Sequence, residues 1–362
     1  MNSLRFHWRL LAAQVNRLGV VSQDAKLQAS NSPEQQVNLP DIENNLFFCR
    51  RAEEIGIDSL LTAFGYYRPD PILLSTALAM ATERIKFMVA YRPGIISPTL
   101  FVQQINTLSA LSNGRVSLNV IMGHSQKEQG YYGDFLEHDQ RYQRAEEFLE
   151  ICQAFWQKNG GFTFKGTYYH IEEGQVGTPF VAPERNSPEI YIGGGSPAAQ
   201  ELAVKQGNCW LLLFDTPDKL RPRIKSIIDQ GIEVGLRGSI IARPTREEAI
   251  EAAYSLINTG NKQWIDQVFV KNSDFQSIKF AYQEEADGYW LTPWLWKGAV
   301  PIHGPSSMAL VGSPIDIAEA IMEYKKMGCS QFIFSGWPEL ETMTYFGKEI
   351  LPVVREMEKI SV

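Results

Sequence analysis

The segment EIYIGGGSPAAQEL, residues 189–202, joins an apolar, β-favouring run to a helical pattern through three glycines and a serine. Read as strand, turn and helix start, it is one βα unit. Pro197 supports that reading, because proline fits the first turn of a helix, where its missing N–H is not needed. A serine at such a boundary caps free amides. The glycines let backbone N–H groups converge, a layout that suits an anion at the helix N-terminus. The same residues would equally serve a turn that binds nothing. The segment is neither G-x-G-x-x-G nor a loop ending in Gly-Lys-Ser/Thr, so a nucleotide fold is not indicated.

Outward from that unit, the same alternation fills most of the chain. Strands are expected at LRFHWRLLAA (4–13), DSLLTA (58–63), IKFMVAYR (85–92) and VSLNVIM (116–122). After the opening segment come CWLLLF (209–214), VGLRGSIIA (234–242) and SQFIFSG (330–336). Helices are expected over 41–56 behind Asp41, over 70–83 with Pro71 leading, over 97–112 with Ser97 as cap and Gly114 beyond its end, and over 140–156. Parallel neighbours need helical crossovers, and eight such units closing on themselves give an α/β fold of the (β/α)8 TIM-barrel type. A doubly wound sheet would bring a glycine-rich first turn, and none stands near residue 13. Residues 258–310 break the rhythm, being aromatic-rich and poorly periodic. They are expected as an insertion between strand 7 and strand 8 of a single domain spanning 1–362. Loops after strands carry the active sites of such barrels, which makes the insertion a candidate lid; the alternative is a surface excursion without a role.

Composition removes several classes of function. The net charge is −7 and no run of Lys and Arg interleaves with aromatics, so no nucleic-acid partner is expected. No stretch approaches the ~20 apolar residues of a membrane span, and the first forty residues lack the layout of a secretory signal. Cys49, Cys152, Cys209 and Cys329 are far apart, without C-x-x-C spacing. A disulfide framework is therefore not expected, and a reducing, cytoplasmic setting is. His7, His124, His138, His170 and His303 form no local ligand pair, so no metal is expected. No G-x-S-x-G elbow is present.

A second constellation is HDQRYQRAEEFLEI, 138–151. Arg141 stands early in its helix, against the dipole unless an anion or carboxylate meets it; on these residues alone a surface salt bridge is the better reading. Asp134 and Glu137 read as solvated acids of a polar loop.

Several long segments, in the same order, resemble the bacterial luciferase-like flavin monooxygenases, with the alkanesulfonate monooxygenase branch nearest. They are RIKFMVAYRPGIISPTLFVQQINTLSALSNGRVSLNVIMG (84–123), RYQRAEEFLEI (141–151), IYIGGGSPAAQELA (190–203) and ALVGSPIDIAEAIMEYKKMGCSQFIFSGWPELE (309–341). The resemblance implies an FMN-dependent, two-component enzyme. Reduced FMN (FMNH2) would come from a separate NAD(P)H-dependent flavin reductase, and O2 would add at flavin C4a to oxygenate a small-molecule substrate. It implies that Gly195 and Ser196, with Arg141 and Tyr142, hold the FMN phosphate. Asn119 and Glu128 match polar contacts to the flavin, and Ala63, Phe64 and Ala90, with Tyr91, match the floor under the ring. Pairing into a homodimer or homotetramer through helices within 70–112 is implied as well.

The substrate half departs from the alkanesulfonate pattern. Arg237 keeps a basic residue, but Ser239 stands in place of a histidine, His303 of an arginine and Arg68 of a cysteine. Trp337 and Glu339 replace a tyrosine and a histidine. A sulfonate wants fixed positive donors, and a carboxylate there would repel it. Arg237, His303 and Trp337 are the candidate catalytic residues, and Arg237, Arg68 and His303 point to a polar or anionic substrate group. Trp290, Trp294, Trp296 and Trp337 either widen the pocket for a flat substrate or merely pack the insertion. The expected substrate is an organic acid or an intermediate of specialised metabolism. Desulfonation of an alkanesulfonate, an F420-dependent oxidoreductase and a non-catalytic flavin-binding protein stand as alternatives.

Overall fold

The computed structural model describes residues 3–10, 39–123, 125–157, 161–257 and 288–360. The described strands are β1 (Arg5–Arg9), β2 (Ser59–Thr62), β3 (Lys86–Tyr91), β4 (Val116–Val120), β5 (Phe162–Lys165), β6 (His170–Gly174) and β7 (Glu189–Gly193). They continue with β8 (Cys209–Leu213), β9 (Glu233–Arg237), β10 (Ser239–Ala242), β11 (Leu295–Trp296), β12 (Ala309–Gly312) and β13 (Cys329–Phe334). The helices are α1 (Ile42–Glu54), α2 (Pro71–Ala79), α3 (Pro98–Ser112), α4 (Gln126–Tyr131), α5 (His138–Gln157) and α6 (Pro197–Gln206). After them come α7 (Pro217–Ile228), α8 (Arg246–Ile257), α9 (Val300–His303), α10 (Pro314–Lys326), α11 (Glu339–Tyr345) and α12 (Leu351–Ile360).

Eight parallel strands close into a barrel in the order β1–β13–β9–β8–β7–β4–β3–β2. The seam closes where Phe6 lies opposite Phe332 and Trp8 opposite Leu60. Start signals fix the helices. Asp70, Ser97, Ser196 and Ser313 each accept a backbone amide of the turn they precede, and each is followed by proline. A cap and a proline at N1 tell the chain where the strand's loop ends and the helix begins.

Alternation along the strands splits the core into two layers. Phe6, Trp8, Phe87, Val89, Leu118 and Ile192 meet the helices outside. Leu61, Met88, Ala90, Tyr191, Cys209, Leu211 and Ile333 fill the barrel interior. Beneath that plug lies a polar floor. Arg5 pairs with Glu189 at 2.7 Å and also with Glu233, which takes the Gln331 amide as well. His7 joins the floor to β2, its Nε2 2.8 Å from Gln331 Oε1 and its Nδ1 2.7 Å from Ser59 Oγ. Burial pushes the His7 pKa down. Gln331 Oε1 can only accept, so Nε2 is the donor of that bond.

Strand seven differs from its expected span of 234–242. β9 stops at Arg237, and after Gly238 the chain turns into a second sheet ordered β10–β12–β11, still bridged to the barrel where Ile240 pairs with Gly336 beyond β13. A side chain at 238 would run into the Phe214 ring and the Met308 carbonyl. Ile240 and Ile241 are as buried in the side sheet as they would be in a barrel strand, so the apolar pattern carries no sign of the switch. The antiparallel hairpin β5–β6 before β7 is a further element that the expected pattern did not contain. Of the stretch 258–310, residues 258–287 lie outside the described residues. Residues 288–310 carry β11, α9 and the start of β12.

Candidate active site

The turn after β7 is built so that the Gly194 and Gly195 carbonyls are held, while the Gly194 N–H is spent on Leu211 O at 3.2 Å. Trp210 Nε1 donates to Gly194 O at 2.8 Å, and Arg223 Nη2 to Gly195 O at 3.0 Å. In a trans peptide N–H and C=O point opposite ways, so the Gly195 and Ser196 amides face the other side of the turn. Gly194 has φ +143°, open to glycine and not to other L residues. Ser196 caps α6, its Oγ accepting from Ala199 N at 3.2 Å. Two neighbouring amides ahead of a ten-residue helix form an electropositive pole.

Arg141 and Tyr142 approach from α5. Arg141 is not the surface ion pair that its residues alone suggested: it is 1% exposed, with Nη1 donating to Leu136 O at 2.8 Å. The Tyr142 hydroxyl approaches the Ser196 side chain but makes no hydrogen bond of good geometry. Burial pushes its pKa up, and Ser196 pulls it partly back. Asp134, expected as a solvated acid, is instead the bidentate partner of Arg144, at 2.6 and 3.1 Å, and Arg144 also donates to Pro93 O. This clamp fixes the start of α5 against the loop after β3.

On the neighbouring strands, Asn119 stands opposite Ala90 and Tyr191 in the ladder. Its Oδ1 is buried without a hydrogen bond among the described residues and lies close to Gly193, at the root of the glycine turn. Ala63 and Phe64 follow β2 half-buried, and Phe64 packs on the interior cluster and edge-on to Tyr91. Glu128, in α4, is buried and accepts from Arg92 Nη2 at 2.9 Å and from Tyr66 N at 3.3 Å. Arg92, Trp210 and Arg223 were not singled out from sequence. The donors' direction toward a carbonyl or carboxylate is tertiary information.

The substrate-side residues divide. Arg237 ends β9 beside Leu213 and Ile333. The His303 and Trp337 rings lie 5.2 Å apart at 40°, and the Trp337 Nε1 is buried with no acceptor among the described residues. Ser239 shares a hydrogen bond with Ser335 at 2.8 Å. Trp296 is fully buried, Trp290 donates to Tyr254 and packs on Trp296, and Trp294 meets Tyr324 edge-on. Among the described residues these three pack within the side sheet and against α8 and α10. Glu339 does not present a bare charge either. It accepts from Arg9 Nη2 at 2.6 Å and Trp8 Nε1 at 2.7 Å, while burial pushes its carboxyl pKa up. Among the described residues no group of acidic, histidine or cysteine side chains could hold a metal. None of their helices is long and apolar enough to cross a membrane.

Structures of known proteins share this architecture across almost the whole chain. EDTA monooxygenase from Chelativorans sp. BNC1 is 17% identical, with 98% of this chain and 94% of that one covered and a TM-score of 0.78. Riboflavin lyase, determined with modified FMN and its substrate riboflavin, is 18% identical over 99% and 92%, with a TM-score of 0.76. An F420-dependent secondary alcohol dehydrogenase is 16% identical over 98% and 100%, with a TM-score of 0.68. At these identities the likeness establishes the fold. The family model for luciferase-like monooxygenases matches residues 17–331, most of the sequence, and the chain belongs to that family.

Proposed function

We propose that the chain is the oxygenating half of a two-component system, taking reduced FMN from a separate NAD(P)H-dependent flavin reductase and using O2 to oxygenate a small organic substrate. The observation that carries this reading is the turn at Gly194–Ser196, whose carbonyls are tied back by Trp210 and Arg223 beside the buried Arg141. That donor set suits a phosphate dianion, which gains from a guanidinium, hydroxyls and helix amides together. In this reading Gly195, Ser196, Arg141 and Tyr142 hold the phosphate. The orphaned Asn119 Oδ1 faces the polar edge of the flavin ring, and Ala63, Phe64 and Ala90 floor it. When bound, the reduced flavin supplies the electrons that activate O2; the protein positions both partners and excludes water. The 258–310 insertion, in a one-domain chain, is the part proposed to close over the site.

Arg237, Arg68 and His303 favour a substrate with a polar or anionic group, and the Trp337 Nε1 offers one more donor. The test is an assay with a generic flavin reductase, NADH and FMN over sulfonates, carboxylates, amines and ketones, read by mass spectrometry. Products heavier by one oxygen from a carboxylate or another polar non-sulfonate are expected. Sulfite from simple alkanesulfonates would move the protein into the desulfonating branch. F420 titrated beside FMN separates the hydride-transfer alternative, since the same fold serves an F420-dependent enzyme.

We further propose that two copies pair through α2 and α3. Leu73 on α2 and Met80 at its C-cap, 70% and 62% exposed, lie seven residues apart on one helical stripe, with Leu111 exposed on α3. Light scattering at micromolar concentration is expected to give a dimer or tetramer, and Leu73→Glu with Met80→Glu a monomer. A wild-type monomer would remove the idea.

A further inference from the structure

At the barrel mouth one buried cation has no place in the reading above. Arg92 follows β3, and strand alternation puts it on the inward face with Met88 and Ala90. It is 4% exposed. Nη2 is committed to Glu128 Oε1, and the guanidinium carbon lies 5.0 Å from the Phe64 ring centre and 5.9 Å from that of Tyr132. Nε and Nη1 are buried and have no hydrogen-bond partner among the described residues. Nε sits close to Gly123, where a side chain would crowd it. Orphaned donors on a buried cation are expensive, and a buried ion pair is weak evidence of stabilisation by itself. The arrangement is accounted for if a bound group brings the missing acceptors.

We propose that Arg92 meets the electron-rich edge of the reduced flavin ring and thereby makes the protein select reduced over oxidised FMN. The inference rests on the FMN reading above. The phosphate belongs at the β7–α6 turn, whereas Arg92 shares its surroundings with Phe64 and Ala90, the residues proposed to floor the ring. Oxidised flavin is neutral there, while reduced flavin gathers negative charge at N1 and the adjoining carbonyl, so a cation aids only the reduced form. Charge placed near N1 is one of the ways a protein tunes this cofactor. Glu128 holds the guanidinium in place and offsets part of its charge. Removing Glu128's charge alone and removing the whole pair should therefore act in opposite directions.

The experiment is an anaerobic titration of protein fluorescence with oxidised and with dithionite-reduced FMN, giving the ratio of the two Kd values. Wild type is expected to favour reduced FMN. Arg92→Met combined with Glu128→Gln leaves neither charge buried alone, and should lower reduced-form affinity about tenfold, as for loss of a charged hydrogen bond, with the oxidised form little changed. Glu128→Gln alone keeps an oxygen for Nη2 and should raise the reduced-form preference several-fold. An unchanged ratio in folded variants, or equal loss for both forms, makes the pair merely structural and overturns the proposal. If the double variant does not fold, the direction of the ratio in Glu128→Gln decides. Wild type that binds neither form of FMN would instead bring down the FMN reading itself.

Discussion

Arg141→Ala should weaken FMN binding by roughly 1.5–3 kcal/mol, the range for a hydrogen bond to a charged group, or about ten- to a hundredfold in Kd. The side chain is almost wholly buried and anchored through Nη1 to Leu136 O, so its direction is set before any ligand arrives. A preset guanidinium loses little entropy on meeting a phosphate, and its charge acts across a site that excludes water. Ser196→Ala should cost less, because the Gly195 and Ser196 amides remain, although α6 loses its cap, worth about 1 kcal/mol of stability. Fluorescence titration with FMN measures both, with circular dichroism as the control for folding. Unchanged affinity in a folded Arg141→Ala protein would remove the phosphate assignment.

Arg9→Met should destabilise the protein by about 3–5 kcal/mol at neutral pH, the usual result of stripping one partner from a buried ion pair. Arg9 and Glu339 are nearly dry, with side chains 12% and 3% exposed. Burial already pushes the Glu339 carboxyl up, and Arg9 is the foremost group pulling it back. Without Arg9 the folded-state pKa rises further above the unfolded one. A carboxyl shifted in that direction leaves stability intact below the unfolded pKa and erodes it as pH climbs to the folded value. The deficit of Arg9→Met should therefore be small near pH 4 and full near pH 8, as read by denaturant titration across that range. A deficit flat with pH would mean that lost packing dominates. The same pair anchors the turn that carries Trp337, since Glu339 opens α11 directly after Trp337 and Pro338.

Where local chemistry decided the outcome, the sequence was readable. Asp70, Ser97, Ser196 and Ser313 with their trailing prolines are short-range signals, and the helices start where those residues stand. The eight-strand barrel followed from counting the units. What stayed hidden depends on who meets whom across the fold. Ser239 and its two following isoleucines look alike in a barrel strand and in the side sheet, so the break at Gly238 was invisible. Arg141 read as a surface charge because helical position says nothing of the loop that folds over it. Trp290, Trp294 and Trp296 read as pocket or as packing with equal right, since their contacts with Tyr254 and Tyr324 arise only in the folded chain. Arg92 lay unnoticed inside the long segment that carries the family resemblance, since its orphaned donors exist only after α4 has folded beside it.

The exit of the chain at Gly238 bears on how such an enzyme changes its tastes. β10 and β12 pair in parallel outside the barrel, α8 packs on both, and β11 completes the sheet. Ile257 ends α8, and Trp290 is bridged to Trp296 in β11. Both lie on a platform that branches from the barrel at Gly238 and stays joined to it where Ile240 bridges to Gly336 beyond β13. Substitutions confined to that platform, at Ile241, Trp296 or Val311, therefore leave β7, the glycine turn and α5 untouched, and give selection a place to vary that is separate from the proposed phosphate turn.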